Sequence, residues 1–251
     1  MKRLLITGAS SGIGKAVALR AAELGFDVTA CGRNQERLDD LTHENAAIKT
    51  LAFDVADQAD CAKALEAKAF DIVVLNAGTC EYVDVDSFEP DMFRRVFDAN
   101  FFGAVNCLNA VLPNLKAGNQ LVFVDSLARL LPFTRSQAYG ASKAALFYLA
   151  KTMEVDLATK GVVVQSISPG FVRTPLTDKN DFDMPMRVEV DEAANSIINL
   201  IQKQKRTGYF PTLFAGIIRT LGSLPTAWQV ALCRRMKSAT AAKREATHEA
   251  A

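Results

Sequence analysis

Lys2-Arg3-Leu4-Leu5-Ile6-Thr7-Gly8-Ala9-Ser10-Ser11-Gly12-Ile13-Gly14-Lys15-Ala16-Val17-Ala18-Leu19-Arg20-Ala21-Ala22-Glu23-Leu24 opens the chain and decides its fold. An apolar strand runs to Thr7, a glycine-rich turn follows, and a helical stretch begins at about Lys15. That order makes a site for a pyrophosphate. The glycines permit a tight turn and close backbone approach, while the unpaired N–H groups and dipole of the helix start favour an anion. The spacing, Gly-x-x-x-Gly-x-Gly over Gly8, Gly12 and Gly14, differs from the Gly-x-Gly-x-x-Gly of the general dinucleotide fingerprint.

Further apolar runs at Val28 to Cys31, Ile48 to Phe53, Ile72 to Leu75, Leu121 to Val124 and Val162 to Ile167 read as strands, with Gly208-Tyr209-Phe210 as the last. Helical stretches separate them. Continuous apolar runs, many of them β-branched, indicate strands covered on both faces, so the expected fold is α/β, a Rossmann-like doubly wound parallel sheet of about seven strands. A helix is expected over roughly Met92 to Leu115, where Val96, Phe97, Ala104, Leu108 and Val111 repeat at three and four. The helix that carries Tyr139 has Leu146, Leu149, Ala150 and Met153 on a similar stripe.

The 251 residues, 49% of them hydrophobic, suit one domain over 1–237, with an alanine-rich, charged tail over 238–251 expected to fray. A net charge of +1 provides no global field to draw the protein to nucleic acid, and no nucleic-acid partner is expected. The first strand begins at about residue 2, which leaves no room for a signal or transit peptide and points to a cytoplasmic protein. Five cysteines without a Cys-x-x-Cys pair read as free buried thiols. With only His43 and His248 as imidazoles, neither a zinc site nor a Ser-His-Asp hydrolase is supported, and no metal is expected.

Chemistry is carried by Ser126, which follows the run Leu121 to Val124, and by Tyr139 and Lys143 four residues apart. Residues at that spacing share a helix face, so the Lys143 ammonium is expected to favour ionisation of the Tyr139 phenol. The phenol would then exchange protons nearer neutral pH, with the serine hydroxyl holding the same substrate oxygen.

The glycine turn, the serine and the Tyr-x-x-x-Lys pair together resemble the short-chain dehydrogenase/reductase family. The resemblance runs over nearly the whole chain: Asp54-Val55 after the third strand, Asn76-Ala77-Gly78 after the fourth, Asn100 in the next helix, and Pro169-Gly170 with Thr174 after the sixth. It implies a strand order 3-2-1-4-5-6-7 and an NAD(P)(H)-dependent oxidoreductase that interconverts a small-molecule carbonyl and alcohol. Ser126, Tyr139, Lys143 and Asn100 are then the catalytic set. Tyr139 acts as acid or base, Lys143 also holds the nicotinamide ribose, and Asn100 anchors a water that relays protons to Lys143. The bland alternative for Asn100 is a helix asparagine bonded to backbone. The resemblance assigns cofactor contacts to Gly8, Ser10, Ser11, Gly12, Ile13 and Gly14, to Asn76, Ala77 and Gly78, and to Pro169 and Gly170. Val172 would face the carboxamide, and Thr174 a phosphate or the carboxamide. Asp54 would bond the adenine amine, with Val55 beside the ring. It also implies a homodimer or homotetramer through the two long helices, which could equally just cover the sheet.

Cofactor choice rests on the end of the second strand, Cys31-Gly32-Arg33-Asn34. No carboxylate stands there for the ribose hydroxyls. Arg33, beside Asn34, suits a 2′-phosphate, so NADP(H) is favoured and NAD(H) is the alternative. Arg33 could otherwise be a solvated surface charge.

A flap over 174–187 is expected above the nicotinamide. Leu127, Leu130, Leu131, Phe133, Phe171, Phe182, Met184 and Met186 are candidates for an apolar pocket or for packing. The apolar segment at about 211–233, followed by Arg234, Arg235 and Lys237, reads as a short helical extension that could cap the pocket, bind a second subunit or make peripheral membrane contact. It hints at a lipophilic substrate. Two other functions fit the sequence: an NADP(H)-binding sensor with little turnover, and a membrane-peripheral scaffold protein.

Overall fold

The computed structural model describes residues 1–180, 182 and 184–249, and the backbone alone for 179 and 239–249. The chain alternates strands and helices throughout: β1 Arg3–Thr7, α1 Gly12–Glu23, β2 Asp27–Gly32, α2 Gln35–Glu44, β3 Lys49–Ala52, α3 Gln58–Leu65, β4 Ile72–Leu75, α4 Pro90–Phe97, α5 Gly103–Val111, β5 Gln120–Val124, α6 Gln137–Leu157, β6 Val163–Pro169, α7 Val190–Gln202, β7 Thr207–Phe210, α8 Thr212–Gly222 and α9 Thr226–Glu249. All seven strands are parallel, in the order β3-β2-β1-β4-β5-β6-β7. The doubly wound sheet read from the sequence is the fold observed.

Alternate residues of each strand serve opposite faces. Leu4, Ile6, Val28, Ala30, Val74 and Val122 pack against α1 and α7. Leu5, Val73, Leu75, Leu121, Phe123 and Val164 pack against α5 and α6. Burial on both faces explains why these strands read as unbroken apolar runs. Because every strand runs the same way, the carboxyl ends of β1, β4, β5 and β6 all open on one edge. The order reverses between β1 and β4, and a crevice at such a switch point is where open α/β sheets bind ligands.

One helical expectation changes. The single helix expected from Met92 to Leu115 is α4 and α5 joined by a π-helical turn at Asp98–Phe102, closed by a 3-10 turn at Leu112–Asn114. The π turn admits a wider ring of backbone, and Pro113, which has no N–H, ends the regular helix. At the other end α9 covers Thr226–Glu249. No helix among the described residues is long and apolar enough to cross a membrane.

Candidate active site

The glycine turn after β1 packs directly on the segment after β4. Gly8 has φ +70° and Gly12 φ +54°, in the left-handed region that favours glycine. A Cβ on Gly8 would sit 2.8 Å from the Ala77 Cα, and one on Gly14 only 2.2 Å from the Gly8 carbonyl oxygen. Thr7 binds the two segments together: its Oγ1 accepts from the backbone N–H groups of Asn76 and Ala77 at 3.0 Å each, and its carbonyl accepts from Asn76 Nδ2 at 3.0 Å. At the start of α1 the Ser11 side chain makes no capping bond and the first turn holds no acid. The orphan N–H groups of that turn are therefore open to an anion, and the cradle fits a dinucleotide pyrophosphate. Thr174 is buried beside it, its methyl 3.3 Å from where a Gly12 Cβ would be.

At the end of β2, a Cβ on Gly32 would meet Ser10 at 3.0 Å, so this glycine lets the turn close. Arg33 is 72% exposed and its guanidinium lies 3.6 Å from the Asp54 carboxylate. Asn34 is occupied locally, its side chain capping α2 by accepting from Arg37 N at 2.8 Å. Asp54 also accepts from Ala56 N at 3.0 Å, and Val55 is buried.

Ser126, Tyr139 and Lys143 converge at the carboxyl edge of β5. The Ser126 hydroxyl accepts from Ala128 N at 3.1 Å, capping a short 3-10 turn, and hydrogen-bonds Tyr139. Lys143 is 4% exposed and its Nζ donates to the Val124 carbonyl at 2.9 Å, 6.0 Å from the centre of the Tyr139 ring. The net shift of the Tyr139 phenol is nonetheless upward. Burial pushes the phenol above its ordinary value, the nearby Cys80 adds to that, and the Ser126 hydrogen bond opposes it only in part. The ammonium instead bears a cost of its own: burial lowers the Lys143 pKa to about 8, against the opposing field of Asp125.

Asn100 lies buried in the π turn. Its side chain accepts from Thr79 N at 2.7 Å and donates to the Thr79 carbonyl and to Ser142 Oγ, both at 2.9 Å. Asn100 is thus bonded to backbone and to a neighbour of Lys143. Gly78 leaves room between them, since a Cβ there would lie 2.8 Å from Asn100 Oδ1 and 3.4 Å from Lys143 Nζ. After β6, Gly170 N donates to the Phe210 carbonyl at 2.7 Å. Val172 is buried, and its carbonyl accepts from Thr177 Oγ1 at 2.6 Å.

Asp125 carries no role in the sequence reading, yet it lies behind the site. Its carboxylate is fully buried, pairs with Arg129 at 3.4 Å and accepts from Ser166 Oγ at 2.5 Å. Burial raises its pKa and Arg129 works against that. Arg129 in turn stacks on the Phe147 ring at 3.4 Å. A carboxylate one residue before the serine, with an arginine four residues on, is the signal that could have found the pair.

Ser126 and Tyr139 open into a cavity of about 520 Å³. Of the apolar candidates, Leu127, Phe133, Phe171 and Phe182 line it, whereas Leu130 and Leu131 pack beneath it and neither Met184 nor Met186 reaches it. Asp181 and Asp183 of the expected flap lie outside the described residues. Not anticipated were Cys80 and Tyr82, which follow the Asn76-Ala77-Gly78 segment. Phe214, Ile218 and Cys233, from α8 and α9, complete the wall, so the apolar extension does cover this cavity. Among the described residues no cluster of side chains suits a metal ion.

The short chain dehydrogenase family model matches residues 2–184. A 3beta-hydroxysteroid dehydrogenase of Mediterraneibacter gnavus is 36% identical, over 74% of this chain and 72% of the relative. An NADPH-dependent 1-acyldihydroxyacetone phosphate reductase of Schizosaccharomyces pombe is 37% identical, over 71% of this chain and 62% of the relative. Among solved structures, a short-chain dehydrogenase from Sphingobium yanoikuyae in complex with NADPH superposes with a TM-score of 0.75 at 25% identity, over 90% of this chain and 98% of that one.

Proposed function

Since the chain belongs to the short-chain dehydrogenase/reductase family and is an oxidoreductase of that family, we propose that it uses NADP(H) to interconvert a carbonyl and an alcohol on a lipophilic substrate, with Tyr139 as general acid and base. The observation that carries this reading is the meeting of Ser126, Tyr139 and Lys143 at one end of an apolar cavity, beside a glycine turn open to an anion. When bound, the nicotinamide supplies the two-electron chemistry at the substrate carbon.

The residues around it do the rest. The first turn of α1 receives the pyrophosphate, Thr174 stands next to it, and Arg33 exchanges its Asp54 partner for a 2′-phosphate. Lys143 holds the nicotinamide ribose. The Tyr139 phenol is protonated at neutral pH, so it has a proton to give to the carbonyl oxygen in the reducing direction as negative charge develops there. Ser126, already hydrogen-bonded to that phenol, steadies the same oxygen as charge builds on it. Asn100, next to Ser142 and Lys143, holds a water that links Lys143 to solvent, so that the proton Tyr139 gives up is replaced from solvent by way of that water and Lys143.

Aromatic and aliphatic lining supports a lipophilic substrate, as do the two named relatives, one acting on a hydroxysteroid and the other on an acyl dihydroxyacetone phosphate. The exposed Phe102, Tyr148 and Val155, on the π turn and α6, offer a face through which a homodimer or homotetramer would form. The test is a panel of aliphatic, aromatic and steroid ketones assayed with NADPH and with NADH. Turnover of at least one ketone, faster with NADPH, is expected. Binding of NADPH without turnover of any of them, or of the matching alcohols with NADP, would overturn the reading.

A further inference from the structure

The last two helices wall the cavity with one side and face solvent with the other. Inwardly, Phe214 and Ile218 of α8 and Cys233 of α9 are buried against the pocket. Outwardly, Leu213 and Ile217, four apart on α8, are 69% and 42% exposed, and Trp228 on α9 is 65% exposed. Ala231 and Arg235, three and seven residues after Trp228, continue its stripe on the helix face turned away from Cys233. The two helices form one unit, because Gln229 Nε2 donates to the Gly222 and Leu224 carbonyls at 3.0 and 2.8 Å.

Charge on this unit is one-sided. Between Pro211 and Ser238 the chain carries Arg219, Arg234, Arg235 and Lys237 and no carboxylate, although the whole chain is nearly neutral at +1. A second copy of the chain is a poor match for such a surface. Arg219 stacks on the Tyr209 ring at 4.5 Å and Lys237 lines the cavity, which leaves Arg234 and Arg235 exposed on the outer side. A two-fold contact sets a patch against itself, so these two arginines would meet their own copies with no carboxylate from 211–238 between them. An anionic lipid surface matches both features: headgroups answer the arginines, and the acyl boundary takes up Leu213, Ile217 and Trp228. Neither helix is a spanning one, so the contact lies in the interface plane.

We propose that the outer face of α8 and α9 docks on an anionic bilayer, and that the cavity takes its substrate from that bilayer. Docking stands on the surface alone, and only the delivery of substrate rests on the lipophilic-substrate reading. Met236 and Lys237 line the cavity in the same turn of α9 that carries Arg234 and Arg235. The cavity wall and the exposed arginines therefore share one turn of α9.

Trp228 is the only tryptophan in the chain, so its emission reports this face and nothing else. The full chain is mixed with phosphatidylcholine vesicles and with vesicles containing phosphatidylglycerol, and co-sedimentation and emission are measured together. Expected are binding to the anionic vesicles, a blue shift of Trp228, and quenching by brominated acyl chains. The paired change Arg234→Glu with Arg235→Glu should weaken binding roughly tenfold or more, and Leu213→Ser with Ile217→Ser should remove the affinity that survives high salt. No binding to phosphatidylglycerol vesicles, binding with unchanged Trp228 emission, or binding indifferent to the arginine changes would each overturn the proposal. So would self-association in the absence of lipid that Leu213→Ser with Ile217→Ser abolishes, which would make this a face between copies. Neither arginine lines the cavity, so turnover of a water-soluble ketone with NADPH should be unchanged in the arginine variant. Loss of vesicle binding with turnover intact separates failure here from failure of the enzymatic reading.

Discussion

Burial holds the Lys143 ammonium to a pKa of about 8, against 10.5 for an ordinary lysine, and this has a consequence for stability. Between those values the unfolded chain still carries the proton that the folded chain has released. Unfolding therefore takes up a proton, and stability from this group rises with pH across the window, with a slope of up to about 1.4 kcal/mol per pH unit. Lys143→Met lacks the titration. Denaturant midpoints measured without cofactor from pH 8 to 10 should shift in favour of the parent relative to the variant, and parallel curves would remove the argument that Lys143 is charged and desolvated. Arg33 invites the second test at this scale. One charge-assisted bond to a 2′-phosphate corresponds to roughly a 10- to 100-fold preference for NADPH over NADH. Arg33→Ala should erase most of that gap by weakening NADPH alone, as measured by titration calorimetry, and equal affinities in the parent would leave Arg33 as merely the surface partner of Asp54. Ser126, Tyr139 and Lys143 are legible in the chain because four-residue spacing and a strand-end serine need no tertiary information. Asp125 is not, since its importance comes from burial and from Arg129 and Ser166, which only the folded edge brings together. The phenol's pKa escaped for the same reason: spacing places the ammonium nearby but does not reveal how dry the site is.

Glycines show how differently the same residue type serves two elements. Gly14 in the first turn of α1 has the Gly8 carbonyl where a Cβ would go, whereas Gly216 in α8 has nothing within 4 Å of that position. Gly14→Ala should lower stability and abolish NADPH binding, because the turn must open to admit the methyl group. Gly216→Ala should be neutral or stabilise by up to about 1 kcal/mol, the ordinary helix preference for alanine. Thermal melts with and without NADPH check both, and a Gly14→Ala protein that still binds the cofactor would contradict the close packing of this turn. The elements themselves were largely legible, since buried parallel strands announce themselves as apolar runs. The π turn between α4 and α5 was not, because one wider turn scarcely disturbs the three-and-four repeat of Val96, Ala104, Leu108 and Val111.

Across the whole molecule, the two buried faces of the sheet follow from strand composition, while the strand order came from resemblance and is matched by the pairing observed. The cavity depends on contacts that sequence pattern cannot register: Phe171 meets Phe214 at 5.5 Å between ring centres, and Cys233 reaches a pocket whose Ser126 and Tyr139 end lies about a hundred residues earlier. That separation is why α8 and α9 read as an extension with several uses before the fold showed them as a wall. The central claim, that a protonated Tyr139 at the end of this cavity is the acid of an NADPH-dependent reduction, is tested most directly by comparing the parent with Tyr139→Phe on any ketone the parent accepts, with NADPH affinity measured on both. Loss of the phenolic proton should lower turnover by about 10²–10⁴-fold or more while NADPH affinity stays within a small factor of the parent. A variant that binds NADPH and reduces the ketone at the parent rate would contradict it.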